Sequence, residues 1–201
     1  LDVYVAVPYQ SLEFHEYDGR FAAQYKLSVV IRDKVGRKQH DSTVTRSMLT
    51  YDYGVARGVT GASDNVVIRF PIAPDTYKYD VRVADLFSQR EFEMTDTVEV
   101  PDLSNTPTFS SVMYLSEIEQ RGSRFSITPY VGSSIWNYQQ QLFAFFETYV
   151  DELPKRVAFS WVSETEDGRS LGGGRGAPTT IDDRVEQHFV PLRLAERAIP
   201  G

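Results

Sequence analysis

The sequence predicts an all-β protein built from two tandem immunoglobulin-like β-sandwich domains. Three observations lead to this prediction: residues alternate with a period of two along many short segments, turn signals separate these segments, and few stretches have helical periodicity. Two prolines with polar spacers at residues 101–108 are typical of a linker. This linker sets predicted domains at 1–103 and 108–201, each close to the size of one such sandwich.

The N-terminal segment opens the first predicted sandwich. Val3, Val5 and Val7 occupy alternate positions, and Pro8 then interrupts the pattern. Because proline cannot donate to a strand ladder, we expect an edge strand or a break there. Further strands are predicted at residues 25–32, 66–72, 77–83 and 91–100, with turns at 18–19, 33–36, 74–75 and 167–168. Residues 115–121 and 182–188 are the candidates for short helices.

The two halves of the sequence contain a weak internal repeat. Residues 25–36 are similar to residues 157–168, since both are alternating segments that end in a glycine turn. Residues 68–75 are similar to residues 192–201, with Pro74-Asp75 matching Pro200-Gly201. A duplication and a pattern common to any two sandwiches explain the similarity equally well. Tyr77 stands where such a sandwich carries a tyrosine corner, whose hydroxyl bonds back to the backbone.

The repeat also predicts an incomplete second sandwich. In the first half, two further strands follow the repeated segment, whereas the sequence reaches Gly201 where the matching strands would begin. We therefore expect the second domain to lack two C-terminal strands, either because the chain is cut or because another source supplies them. An open sheet edge exposes unpaired backbone groups, so the prediction includes a protein partner or a second copy of the chain at this edge.

Composition excludes several classes of function. Lysine and arginine total 21 against 28 acidic residues, and this net charge of −7 argues against a nucleic-acid-binding surface. The absence of cysteine excludes disulfides, thiolate catalysis and cysteine zinc sites. The longest apolar run, residues 142–146, is too short for a transmembrane helix.

Two segments are candidates for contact with a partner or ligand. Residues 171–178 are rich in glycine but lack the Lys-Ser/Thr ending of a phosphate loop. We interpret them as a flexible hairpin loop in which Gly173, Gly174 and Arg175 contact a partner. The second candidate is formed by Trp136 and Tyr138, which follow a Gly-Ser-Ser sequence.

Aromatic residues suggest a platform on which sugar rings stack. The candidates for this platform are Tyr4, Tyr9, Tyr51, Tyr53, Trp136 and Tyr138. The alternative is that these side chains fill strands and cores, as aromatic residues commonly do. Trp161 alternates with Phe159 and Val157, so we expect it in the core.

Titratable residues give no catalytic pattern. His15, His40 and His188 are far apart and are interpreted as solvated strand histidines, not as metal ligands. Acidic residues cluster at positions 13/16, 91/93, 164–167 and 182/183, which is more typical of a wet strand face than of a glycosidase pair. There is no Gly-x-Ser-x-Gly elbow and no EF-hand spacing, although a loop-bound calcium stays open. We therefore expect no catalytic residue, no metal site and no cofactor.

Three segments resemble the N-terminal portion of the GWxTD domain-containing proteins, which are exported proteins of the Bacteroidota, Chlorobiota and Rhodothermota. They are residues 1–14 (LDVYVAVPYQSLEF), 70–85 (FPIAPDTYKYDVRVAD) and 142–149 (LFAFFETY). The Gly-Trp-x-Thr-Asp motif is absent, since Trp136 follows Ile135 and Trp161 follows Ser160. The resemblance implies a β-sandwich and export to the periplasm or cell surface, and it transfers no functional residue.

The predicted function is that of a non-catalytic structural or protein-interaction module of an exported bacterial protein, within a cell-surface or envelope assembly. Two alternatives remain open. A carbohydrate-binding module requires a row of exposed aromatic rings on one sheet face or loop end. A hydrolase domain requires two carboxylates that face each other across a cleft.

Overall fold

The computed structural model describes residues 1–59, 61–122, 124–130, 141–164 and 167–192. Strand accounts for 63 % and helix for 4 % of the structure, and the strands of each described sheet pair in antiparallel fashion. The predicted all-β fold is therefore confirmed. The chain divides into two compact units, Leu1–Asp102 and Leu103–Gly201. Among the described residues, no helix is long and apolar enough to cross a membrane.

The first unit consists of two layers of strands. Its elements are α1 (Tyr53–Ala56) and the strands β1 (Asp2–Pro8), β2 (His15–Tyr17), β3 (Arg20–Arg32), β4 (Lys38–Thr50), β5 (Ser63–Arg69), β6 (Asp75–Asp85) and β7 (Glu91–Val100). One sheet has the strand order β4-β3-β6-β7. Strand β2 pairs with the first residues of β3, on the same side of β3 as β6. The other layer is the pair β1–β5.

Strand β3 forms the centre of the first core. Tyr25, Leu27, Val29 and Ile31 have no exposed surface, because the odd-numbered residues of β3 face the β1–β5 layer. Full burial of one such aliphatic side chain contributes about 1.5–3 kcal/mol. The even-numbered residues of β3 consequently lie on the outer face of the sheet.

Local turn chemistry sets the register of the β3 hairpins. Asp18 (φ 50°) and Gly19 (φ 69°) join β2 to β3, and two positive φ angles are typical of a type I′ turn. Between β3 and β4, the Asp33 carboxylate accepts hydrogen bonds from the amides of Val35 and Arg37. Both turns were predicted from the positions of aspartate and glycine in the sequence.

The predicted tyrosine corner is confirmed at the start of β6. The Tyr77 hydroxyl donates a hydrogen bond to the carbonyl oxygen of Ala73, at a distance of 3.0 Å. The ring is buried in the first core, so the bond ties the segment that enters β6 to the sheet.

The second unit also consists of antiparallel strands. They are β8 (Thr108–Phe109), β9 (Met113–Arg121), β10 (Arg124–Pro129), β11 (Leu142–Tyr149), β12 (Lys155–Val157), β13 (Ser160–Glu164), β14 (Ser170–Arg175), β15 (Thr179–Ile181) and β16 (Val185–Leu192). Its main sheet has the order β10-β9-β11-β16, with β8 also beside β11. The pairs β12–β15 and β13–β14 together form one interrupted hairpin.

The two short helices predicted from the sequence are wrong. Residues 115–121 lie in β9, and most of residues 182–188 lie in β16. Both strands pair with β11, whose residues alternate between buried and half-buried positions. Backbone pairing and burial against β11 outweigh the weak local preference for helix.

The two units share an order of strands. In the first unit, β1 pairs with β5, and the β3–β4 hairpin lies between them in the sequence. In the second unit, β11 pairs with β16, and the hairpin of β12–β15 lies between them. This common order is expected both from a duplication and from two sandwiches of the same general pattern. Strands β6 and β7 then follow in the first unit.

Candidate functional site

Residues 171–175 of the glycine-rich segment lie in strand β14, so the interpretation of these residues as a flexible loop is wrong. Gly173, Gly174 and Arg175 belong to β14, and Gly174 pairs with Trp161 of β13. A Cβ atom on Gly174 would lie 2.8 Å from the indole Nε1 of Trp161, and one on Gly173 would lie 2.7 Å from its carbonyl oxygen. The glycines therefore leave room for Trp161, which packs against the buried cluster of Leu142, Ala144 and Leu192, as predicted.

Of the other predicted contact residues, only Arg175 lies among the described residues. Trp136 and Tyr138 lie outside the described residues. Arg175 is exposed at the end of β14, where it pairs with Ser160 of β13.

The strands β12 and β13 present an edge on which no strand pairs among the described residues. Their other edge pairs with β15 and β14. In the first unit, the corresponding edge of β3 pairs with β6 over eight residues, from Tyr25 to Arg32. We call the unpaired side of residues 155–164 the β13 edge.

The side chains of the β13 edge alternate between two environments. Phe159 points inward, since its ring centroid is 4.9 Å from that of Phe146 and 4.6 Å from that of His188. The exposed side chains lie at every second position and run from basic to acidic: Arg156, Ala158, Ser160, Val162 and Glu164.

A row of exposed aromatic side chains crosses the outer face of the first unit. Tyr17 pairs with Arg20 in the β2–β3 hairpin. On the opposite side of β3, the Tyr51 ring lies with its centroid 5.9 Å from the guanidinium carbon of Arg20. Tyr17 is 79 % exposed and Tyr51 is 75 % exposed. We call the set Tyr17, Arg20 and Tyr51 the aromatic row.

A second line of residues lies beside the aromatic row. Ala22 pairs with His15 on one side and with Leu49 on the other. Leu49 is exposed, and the ring of Phe87 lies 4.6 Å from the imidazole of His15. Ala22 is the smallest of these side chains.

The tyrosines suggested by the sequence do not form one platform. Tyr51 lies in the aromatic row, whereas Tyr53 contacts Phe21, an inward-facing residue of β3, at 5.5 Å between ring centroids. Tyr4 and Tyr9 are half-buried in the first unit. Sequence reasoning missed Tyr17, although its place beside the Asp18–Gly19 turn predicts that it is exposed.

The three histidines differ in their surroundings. His15 is exposed and hydrogen-bonded to Glu13 at 2.8 Å, in agreement with a solvated histidine. His188, in contrast, is buried, which corrects the prediction for this residue. Its Nε2 lies 2.9 Å from the Thr148 hydroxyl, and its ring stacks on Phe146. Burial lowers the pKa of His188 despite the opposing charge of Glu186, so the neutral ring is favoured.

Asp85 is a buried carboxylate at the β6–β7 turn. It accepts hydrogen bonds from the Glu13 amide at 2.7 Å, the Phe87 amide at 2.9 Å and the Ser88 hydroxyl at 2.7 Å. Burial alone would raise its pKa, but the bonds from Ser88, Glu13 and Phe87 outweigh it and lower the pKa. The charged side chain thus holds the loop before β2 against this turn.

A polar triad joins the two layers of the first unit. The hydroxyl of Tyr25 donates to Asp64 at 2.8 Å, and the Arg46 guanidinium forms two bonds to the same carboxylate at 2.9 and 3.0 Å. Burial and the Asp64 carboxylate raise the pKa of Tyr25. Burial would raise the pKa of Asp64, but hydrogen bonds from Arg46 and Tyr25 lower it overall. Tyr25 lies in β3 and Asp64 in β5, so the triad aligns the layers.

The acidic pair at positions 91 and 93 lies on a solvated face, as predicted. Glu91 and Glu93 are exposed, and both form ion pairs with Arg82 of β6, the latter at 3.3 Å. Within the described parts of the chain, no group of three or more histidine, aspartate or glutamate residues could hold a metal ion.

No family model matches the chain, and neither a curated protein nor a solved structure is significantly similar to it. Its functional interpretation therefore depends on the geometry of the two exposed features, the β13 edge and the aromatic row.

Proposed function

We propose that the chain is a non-catalytic structural and protein-interaction module that assembles through the β13 edge. The observation that supports this proposal is the contrast between β3 and the β12–β13 segment, which occupy matching places in the weak repeat. In the first unit, β6 covers the edge of β3, whereas no described residue pairs with the β13 edge. Such an edge exposes a row of backbone donors and acceptors that favours the addition of another strand.

The occupant that we propose is the same edge of a second copy of the chain. An antiparallel pair of identical strands is self-complementary about a two-fold axis. If Ser160 lies at this axis, Arg156 of each copy faces Glu164 of the other, and Ala158 faces Val162. Opposite charges and small or β-branched side chains then meet across the pair, and each such contact contributes about 0.2–1 kcal/mol.

Substitution of the two charged residues, Arg156 and Glu164, tests the proposed dimer directly. Arg156→Glu replaces two symmetric attractions by two repulsions, and we expect the dimer to weaken about tenfold. The double variant Arg156→Glu/Glu164→Lys restores opposite charges and should restore the dimer. Arg175→Glu is the matched control, because Arg175 is exposed on β14 and outside the β13 edge.

The measurement is molar mass by light scattering over a wide range of protein concentration. Concentration-dependent dimerisation that is weakened by Arg156→Glu and restored by the double variant supports the proposal. A chain that remains monomeric up to about 0.5 mM, well above a typical micromolar dimer, contradicts it. A homodimer that Arg156→Glu does not weaken also contradicts it. So does a chain that forms no homodimer and binds only a different protein.

Export to the periplasm or cell surface belongs to the same proposal. Its support is the similarity of residues 1–14, 70–85 and 142–149 to the GWxTD domain-containing proteins. At the cell surface or in the periplasm, the chain is then a structural component of an envelope assembly. Localisation of the epitope-tagged full-length protein in cell fractions tests this part, and a purely cytoplasmic signal would contradict it.

A further inference from the structure

We propose that the aromatic row binds an extended anionic saccharide chain. In this arrangement, sugar rings stack on Tyr17 and Tyr51, and a sugar carboxylate binds Arg20 between them. The proposal concerns the first unit and is independent of assembly through the β13 edge.

The two tyrosines have the exposure and spacing that sugar stacking requires. Each residue is at least three-quarters exposed: Tyr17 lies in β2, and Tyr51 directly follows β4, in a sheet whose opposite face is the core. They stand on either side of β3, so two strand spacings separate them, about 10 Å in all. This separation suits neighbouring units of an extended saccharide, whose apolar C–H faces pack on aromatic rings.

The charge between the rings favours an anionic sugar. The guanidinium of Arg20 lies 3.7 Å from Asp18, outside hydrogen-bonding distance. Other arginines of this unit are engaged more closely, since Arg32, Arg46 and Arg69 lie 3.0, 2.9 and 3.2 Å from their carboxylate partners. The planar donors of Arg20 can therefore exchange a loose contact for a close, two-bond contact with a carboxylate.

The border of the aromatic row provides hydrogen-bonding groups for sugar hydroxyls. His15 lies beside the row in β2, and the exposed pair Gln24 and Ser47, joined by a 3.0 Å hydrogen bond, lies two residues farther along β3 and β4. Two apolar rings with a polar border match a saccharide, which has apolar ring faces and hydroxyls at its edges. A stable protein partner needs a larger buried surface than these few side chains supply.

Titration calorimetry of the full chain tests the proposal with two oligosaccharides of equal length. The anionic probe is hexagalacturonate, and the neutral probe is cellohexaose. We expect binding of the anionic probe and weaker binding of the neutral one. Tyr17→Ala and Tyr51→Ala should each weaken binding up to about tenfold, the upper range for one aromatic stack. Arg20→Gln should remove the preference for the anionic probe.

Tyr53→Ala is the matched control, because Tyr53 is also exposed but contacts inward-facing Phe21. It should bind hexagalacturonate as the parent does, and circular dichroism should show that all variants remain folded. Arg156→Glu should also bind like the parent, which separates this test from that of the proposed function.

Three outcomes would overturn the inference. The first is the absence of binding to either probe at millimolar concentration. The second is equal affinity for both probes or unchanged binding after Tyr17→Ala and Tyr51→Ala. The third is a change in molar mass caused by these two variants in place of a change in saccharide binding, which would assign the row to a protein interface.

Discussion

Replacement of Asp85 by alanine should destabilise the first unit strongly. The substitution removes the acceptor of three hydrogen bonds of 2.9 Å or less and leaves the amides of Glu13 and Phe87 without it. Hydrogen bonds to a charged group contribute about 1.5–3 kcal/mol each, and they are not fully additive. We therefore expect a loss of about 3–5 kcal/mol, a large share of the stability of a single domain.

The assay is urea unfolding followed by far-ultraviolet circular dichroism and by tryptophan fluorescence. Both tryptophans, Trp136 and Trp161, lie in the second half of the sequence, so the fluorescence signal reports on that half. The Asp85→Ala variant should lose part of its dichroism at lower urea, while the fluorescence transition stays in place. Evaluated at the melting temperature of the first unit, 3–5 kcal/mol corresponds to a decrease of roughly 12–40 °C for a unit of this size.

The dependence on pH and a control refine this test. Because the pKa of Asp85 is lowered in the folded state, its stabilisation is present above the pKa of the unfolded chain and is lost as pH falls through the folded pKa. Asp85→Asn should flatten that acid limb. Asp18→Asn, at a 79 % exposed turn side chain, should change stability by less than about 0.5 kcal/mol. A stability of Asp85→Ala within about 1 kcal/mol of the parent would refute the role assigned to this carboxylate.

Three further predictions address the two cores. Tyr25→Phe removes a partly buried hydrogen bond to a carboxylate and should cost about 1.5–3 kcal/mol in urea unfolding; a neutral effect would contradict the importance of the triad. The pKa of buried His188 is lowered, so the second unit should lose stability as pH falls below about 6.5, and His188→Gln should remove this part of the slope measured by tryptophan fluorescence. Gly174→Ala introduces a Cβ 2.8 Å from an indole and should cost about 1–3 kcal/mol, whereas Gly176→Ala, with its nearest contact at 3.7 Å, serves as the tolerated control.

Much of the fold could be predicted from local sequence patterns. The alternation along β3 identified its buried face, and the Asp18–Gly19 pair identified a hairpin turn, because both depend on neighbouring residues. Strand β4 was harder to predict, since its sequence KQHDSTVTRSMLT is mostly polar. It is a strand because its backbone pairs with nearly the whole length of β3.

The candidate surfaces could not be predicted from local sequence patterns. Tyr17 and Tyr51 are far apart in the sequence, and only the pairing of β2 and β4 with opposite sides of β3 brings them into one row. The glycine-rich segment was misread for the same reason, because its strand partner Trp161 lies across the hairpin. The burial of His188 also depends on Phe146 and Phe159, which other strands supply.

The sequence by itself determined the all-β class, the main turns, the tyrosine corner at Tyr77 and the core position of Trp161. These features follow from side-chain alternation and backbone preferences, which act over a few neighbouring residues. The tertiary structure alone decided which strand edges are covered and which side chains share an exposed face. Those properties depend on long-range strand pairing, where a shift of one residue exchanges the two faces of a strand.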